Sequence, residues 1–362
     1  MANIWEIIDE IAHSREQSVL ATIIQVEGSA YQKEGTSMLF LANGQQIGII
    51  SAGCLEADLA IRAMKLLIEP SVQYQTFVYD TSAEDDLSWG RGPGCNGKIH
   101  ILLERVDAAQ RHNLFTLQAY LHRGIPVVMM KIFGKIPSTI CTFYMTQDQQ
   151  IFGCRDVLSH PLRKIAQREN KSRLQYVESL DRSVYIHHFE PQPRLFIFGA
   201  GPDITPLVAF ALQTDFAVTI WDWRSTRLDN KVFSHADLMT NPSIPETMHA
   251  LDFRPSDSVM IMTHDFQKDK ELLTYLLPKS QQINYFGILG PRKRTTKLLQ
   301  GRSIPDHLHS PAGLTIGAKG PEEIAISIIA DIIRNRKEKS YGKKHIINGE
   351  QNSSDLFSGR QK

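Results

Sequence analysis

Apolar residues recur along this chain with two distinct periods. Ile4, Ile7, Ile8 and Ile11 fall at helical spacing and predict a short amphipathic helix. Residues 19–26 form an almost unbroken apolar run, the pattern of a buried strand. A polar loop with a glycine near each end, Gly28 and Gly35, leads into a second strand over 37–41. Asn43-Gly44 then signals a hairpin that returns through 47–50. Leu55, Leu59, Ala60, Ala63, Met64 and Leu67 predict a long amphipathic helix starting at once after Cys54. Strands follow over 73–79 and 98–103. A helix comes next, capped by Asp107 and stopped by Gly124, and then strands over 126–132 and 141–145. Weaker helix and strand signals continue to Phe189, where His187-His188 closes an apolar strand and reads as a wet strand end.

Pro191-Gln192-Pro193 marks a stiff, extended boundary. Beyond it the pattern changes to short apolar strands alternating with helices. Residues 194–198 form a strand, Gly199-Ala200-Gly201 a turn, and Pro202 opens a helix to about Gln213. A second strand over 217–221 ends in Asp222, 23 residues after Gly199, near the place of a ribose-binding acid in a dinucleotide-type βαβ unit. Ile204 stands at the third glycine position, so the unit predicts a Rossmann-like fold more firmly than it predicts NAD. Buried strands over 258–265 and 283–289 follow. Pro321-Glu322-Glu323 starts a helix that buries Ile324, Ile328, Ile329 and Ile332. The expected architecture is therefore α/β, with an N-terminal mixed α/β domain over 1–190 and a C-terminal Rossmann-like parallel-sheet domain over 194–335. A disordered tail is expected over 336–362.

Composition narrows the class. At 362 residues and net charge +1 the chain has room for two cores and no bulk charge suited to nucleic acid or a membrane surface. No uncharged apolar run approaches the roughly 20 residues that span a bilayer, and the first residues lack the form of a signal peptide. Cys54, Cys95, Cys141 and Cys154 show no zinc-like spacing and read as reduced thiols of a cytoplasmic protein.

Candidate chemistry clusters at strand ends. Gly53-Cys54-Leu55-Glu56 places a thiol at a helix start, where the helix dipole favours thiolate and Glu56 works slightly against it. The same cysteine also reads as a small hydrophobe packed at a tight turn. Cys95 lies in a second, glycine-rich loop over 89–97. His264 and Asp265 end a strand and suit either proton transfer or a helix cap with the histidine packed behind it. Gly290-Pro291-Arg292-Lys293-Arg294 places positive charge at a helix start and suits an anion.

Taken in order, these motifs resemble the XdhC/CoxI family, accessory proteins of xanthine dehydrogenase and related molybdenum hydroxylases. The resembling stretches are Gly28-Ser29 with Gly35 through Met38, Gly53-Cys54-Leu55-Glu56, Gly94-Cys95-Asn96-Gly97 and Phe198-Gly199-Ala200-Gly201-Pro202. Asp222-Trp223-Arg224, Thr263-His264-Asp265, Gly287-Ile288-Leu289-Gly290-Pro291-Arg292 and Ser310-Pro311-Ala312-Gly313-Leu314-Thr315 complete the set. The resemblance implies a protein that binds the molybdenum cofactor (molybdopterin), helps a cysteine desulfurase exchange its oxo for a sulfido ligand, and inserts it into the hydroxylase. On that reading Cys54 and Cys95 approach the metal or carry sulfur, with His264 and Asp265 beside the chemistry. Gly53, Glu56, Gly199, Gly201, Pro202, Asp222, Arg224, Gly290, Arg292 and Lys319 would hold the pterin phosphate or a nucleotide, at a crevice shared by the two domains. A homodimer is expected, with no nucleic acid and no membrane among its partners. The rivals are an NAD(P)-dependent oxidoreductase and a nucleotide-sensing interaction module.

Overall fold

The computed structural model describes residues 4–80, 97–134, 140–154, 159–168 and 171–352. The chain divides into two compact units, Met1–Pro191 and Gln192–Lys362.

The N-terminal unit is built on two five-stranded antiparallel sheets. The first uses β1 (Ser18–Gly28), β2 (Ser37–Leu41), β3 (Gln46–Gly48), β4 (Tyr74–Asp80) and β5 (Gly97–Arg105), in the order β3-β2-β1-β5-β4. The expected Asn43-Gly44 hairpin joins β2 to β3, with Leu39 paired to Ile47. One face of this sheet is covered by α2 (Glu56–Ile68), which buries Leu59, Ala63, Leu66 and Leu67 against Val19, Ala21, Ile101 and Leu103. The second sheet uses β6 (Val127–Phe133), β7 (Ile140–Thr146), β8 (Ile151–Gly153), β9 (Arg173–Val177) and β10 (Arg182–Phe189), ordered β8-β7-β6-β10-β9, and α4 (His160–Arg168) packs Leu162 and Ala166 against Met130 and Ile132. The two sheets share a core of Leu20, Leu39, Leu102, Met129, Tyr144 and Tyr185, joined by α1 (Ile4–His13) and α3 (Ala108–His122). Alternation along each strand explains this arrangement, since successive side chains face opposite sides. Asp107 caps α3 as expected, its carboxylate accepting the Gln110 N–H.

Two expectations for this unit are corrected. Cys141 and Cys154 are not separate reduced thiols but form a disulfide, with Cα atoms 5.9 Å apart. The reason is register: β7 pairs antiparallel with β8, Phe143 opposite Gly153, which carries Cys154 back beside the start of β7. His187 and His188 are not a wet strand end, because β10 is an inner strand between β6 and β9. The His187 imidazole accepts or donates at Ser172 Oγ, 2.7 Å away.

The C-terminal unit is a parallel sheet of β11 (Arg194–Phe198), β12 (Ala217–Trp221), β13 (Asp237–Met239), β14 (Ser258–Ile261) and β15 (Tyr285–Ile288). Its order is β13-β12-β11-β14-β15, the Rossmann arrangement. The connecting helices are α5 (Thr205–Gln213), α6 (Ile244–Ala250), α7 (Phe266–Leu276) and α8 (Arg292–Leu298), and α9 (Gly320–Asn352) closes the unit. The strands are short, nearly continuous apolar runs because both faces are covered. Ile204, at the third glycine position, is fully buried in this core, and a 3-10 turn over Pro202–Ile204 precedes α5. The last helix, α9, extends to Asn352 over part of the stretch 336–362. Among the described residues no helix is long and apolar enough to cross a membrane.

Candidate functional site

The turn before α2 is built around one carboxylate. Glu56 accepts the backbone N–H groups of Ile50 (3.1 Å), Ser51 (2.6 Å) and Leu55 (3.2 Å), and the Ser51 hydroxyl at 2.5 Å. Burial by itself would raise the Glu56 carboxyl, but these bonds, led by the Ser51 hydroxyl, hold it below its ordinary value. Cys54 is a half-buried free thiol packed at the edge of the core under α2, with Sγ 3.5 Å from Ser51 Oγ. Gly53 has φ +105°, a conformation that favours glycine, and among the described residues nothing lies within 4 Å of where its Cβ would stand. Glu56 is thus the organiser of the turn, with its oxygens engaged inside the protein. Cys95 lies outside the described residues.

In the C-terminal unit the strand order reverses between β11 and β14, where such sheets place their ligand crevice. Gly199 has φ +118°, and a Cβ there would stand 2.4 Å from Met262 O. A Cβ on Gly201 would meet Asp203 Oδ1 at 2.4 Å and His264 Cδ2 at 3.5 Å. Gly199 is required here by the protein's own backbone, whereas at Gly201 the close atom is the end of the Asp203 side chain. Asp203, just after Pro202 in the first turn, bonds His264 Nε2 at 2.8 Å. His264 is half-exposed and adopts a left-handed backbone, φ +59°, uncommon for a non-glycine residue. Asp265 is the cap of α7, accepting the Lys268 N–H at 2.9 Å, so the helix-cap alternative describes it, while His264 is turned outward rather than packed behind.

Asp222 corrects the expectation of a ribose-facing acid. It is fully buried, and its oxygens accept the Ala200 N–H (2.8 Å) and the Arg224 backbone and guanidinium N–H groups. Burial opposes its charge, but the Arg224 side chain and the two backbone donors hold the carboxyl below its ordinary range. Arg224 in turn stacks on Trp223, 3.9 Å from the ring centre. The carboxylate thus ties the glycine turn to the end of β12.

The remaining predicted residues are not drawn into one cluster. Arg292 is exposed and donates to the Ser310 carbonyl at 3.3 Å. Gly290 lies close to Arg294, which pairs with the buried Asp269 at 2.5 Å. Lys319 is exposed, its backbone N–H bonded to Glu323. A cavity of about 120 Å³, lined by Asp203, Met262, Leu289, Pro321, Ile324 and Ile328 among others, opens on this side of the sheet. Among the described residues no group of three or more His, Cys, Asp or Glu could hold a metal ion. Sequence reasoning missed Ser51 and Asp203. Asp203 is adjacent to the Gly-Ala-Gly-Pro turn and carried a signal, a negative charge in the first turn where a diphosphate would lie. Ser51 carried none.

Comparison with known proteins agrees with this architecture. Residues 195–332 match the XdhC Rossmann domain, 11–78 the XdhC and CoxI family, and 108–190 the BH1974-like central domain. A Bacillus subtilis protein described as a probable xanthine dehydrogenase subunit is 38% identical over 337 residues, covering 93% of this chain and 98% of that protein. The molybdenum cofactor insertion chaperone PaoD of Escherichia coli is 19% identical over 337 residues, covering 89% and 85%. A crystal structure described as a xanthine dehydrogenase (BH1974) from Bacillus halodurans superposes with a TM-score of 0.80 at 42% identity, covering 93% of this chain and 96% of that one.

Proposed function

The chain belongs to the XdhC and CoxI family, and from that premise we propose that it is an accessory protein of a xanthine dehydrogenase or related molybdenum hydroxylase. It holds the molybdenum cofactor as cargo, assists the sulfuration for which a cysteine desulfurase supplies sulfur, and passes the cofactor on to the hydroxylase. The observation that carries this reading is Cys54, a half-buried free thiol on a turn fixed by Glu56. Molybdenum is a soft metal suited to thiolate. PaoD, a relative along most of the chain, is named for insertion of this cofactor.

The dinucleotide reading is not adopted. Asp203 places a carboxylate in the gap beside Gly201, where a diphosphate would need room, and Asp222 is buried. A second anion there meets like charge.

The reading is tested by producing a xanthine dehydrogenase with and without this chain. Similar amounts of hydroxylase protein are expected in both, with sulfurated cofactor and full turnover only when the chain is present. Equal turnover in its absence would remove the proposed role.

A further inference from the structure

The helix α2 is apolar on two faces. Leu59, Ala63, Leu66 and Leu67 are buried against the first sheet. On the opposite side Ala57, Ile61, Met64 and Ile68 stand exposed, Ile61 by 58% and Ile68 by 78%. A surface helix ordinarily turns charge outward, whereas a helix apolar all round is covered on both sides. Only Glu56, Asp58, Arg62 and Lys65 carry charge in α2. Glu56 is engaged in the Cys54 turn, and Arg62 lies over the Phe77 ring, 4.3 Å from its centre. Of these four, Lys65 alone is exposed.

The exposed apolar set falls at 57, 61, 64 and 68, intervals of four, three and four, which is the seam spacing of paired helices. The set is also complementary to itself. A second α2 can lie antiparallel to the first, about a two-fold axis level with the middle of the 61–64 interval. Ile61 then meets Met64 of the second copy, and Ala57 meets its Ile68, a small residue facing a large one at each end. Asp58 and Lys65 each follow a seam residue, so both flank the seam on the same side. Lys65 comes level with Asp58 of the second copy to within two residues, about 3 Å along the axis. Arg62 and Tyr79 both donate to Oδ2 of Asp58, and neither bond uses Oδ1. The two-fold axis gives two such Lys–Asp pairs, and the helix dipoles run opposed. A parallel arrangement makes neither match, since Ala57 would face Ala57 and the Lys–Asp pairs would be lost.

We propose that the outer face of α2 is an interface between two copies of this chain, the helices antiparallel across a two-fold axis. From Ala57 to Ile68 the seam runs about 17 Å along a strip about 10 Å wide. That is well below the roughly 800 Å² per partner of a stable complex, so the pairing is reversible and follows concentration. Each seam begins at the turn that carries Cys54, so association brings the Ile68 end of one helix towards the Cys54 turn of the other. The assignment stands on the helix alone and does not rest on the cofactor reading above.

The test is sedimentation of the full chain between about 1 and 200 µM. A reversible monomer–dimer equilibrium is expected. Ile61→Glu puts a charge at the centre of the seam and should leave the chain monomeric over that range. Lys65→Glu sets like charge against Asp58 of the second copy and should weaken association roughly fivefold, most at low salt. Both positions are exposed, so both variants should keep the wild-type melting temperature. Orientation is read by cross-linking in a background with Cys54 and Cys95 replaced by serine. Mixed Ala57→Cys and Ile68→Cys chains should join on mild oxidation, while neither variant should join to itself. A wild type monomeric over the whole range, a dimer that survives Ile61→Glu, or an Ile68→Cys chain that joins to itself as readily as to Ala57→Cys overturns the assignment.

Discussion

The Ser51 hydroxyl donates to the Glu56 carboxylate at 2.5 Å while the Ser51 backbone N–H meets the same carboxylate at 2.6 Å. Two residues five apart are clamped side on side, and the thiol of Cys54 is held against the clamp. The turn that carries the only free cysteine among the described residues is therefore held by a charge as well as by the packing of Ile50 and Leu55.

Replacing Glu56 with Gln should cost about 1–3 kcal/mol, since backbone donors lose a charged acceptor. The carboxyl is lowered in the folded protein from an ordinary 4.5. Its contribution is then present above that value and lost as pH falls through the lower folded-state value. Denaturant midpoints should show wild type and variant separated at neutral pH and converging in acid. A constant separation would contradict the clamp.

A Cβ added to Gly35 would stand 2.0 Å from His187 Cε1. Gly35→Ala is expected to destabilise the N-terminal unit by about 2 kcal/mol or more, through overpacking against an enclosed ring. Thermal unfolding reads this directly.

Burial, aided by the charges of His188 and Lys131, pushes His187 down to about 3. The unfolded chain binds a proton near 6.5 and the folded one does not until about 3, so stability falls as pH drops through that window. The loss is bounded by about 1.4 kcal/mol per pH unit. His187→Gln should show a shallower loss between about pH 6.5 and pH 4 in melting-temperature series. Parallel curves would place the imidazole in water.

Titration with NADH or NADPH should give no saturable binding up to about 1 mM, because Asp203 fills the gap beside Gly201. Asp203→Asn keeps the shape and removes the charge, so any anion affinity of the crevice should rise in that variant. Micromolar binding to the wild-type chain would restore the dinucleotide reading.

Much of the fold was legible in local pattern. The Asn43-Gly44 hairpin, the Asp107 cap and the alternation of short apolar strands with helices after Pro193 are local signals, and each fixed its element. What was not legible depended on partners distant in sequence. Asp222 reads as a ligand-facing acid until Ala200 and Arg224 are seen to take its oxygens. Glu104 and Lys131 are 27 residues apart on different sheets, and nothing in either strand announces the pair. The disulfide needed the register of β7 on β8, which two cysteines 13 residues apart do not supply. The Cys54 turn stands out through its small residues, but Glu56 reads there as opposition to a thiolate, whereas its bonds make it the scaffold of the loop.

Cys54 is proposed to hold the molybdenum cofactor. Its most direct test is to purify the wild-type chain and Cys54→Ser from cells that make the cofactor, then measure bound molybdenum and oxidised-pterin fluorescence per chain. Wild type should retain both, and the serine variant, equally folded, should lose most of each. Equal retention by the two proteins would contradict the account.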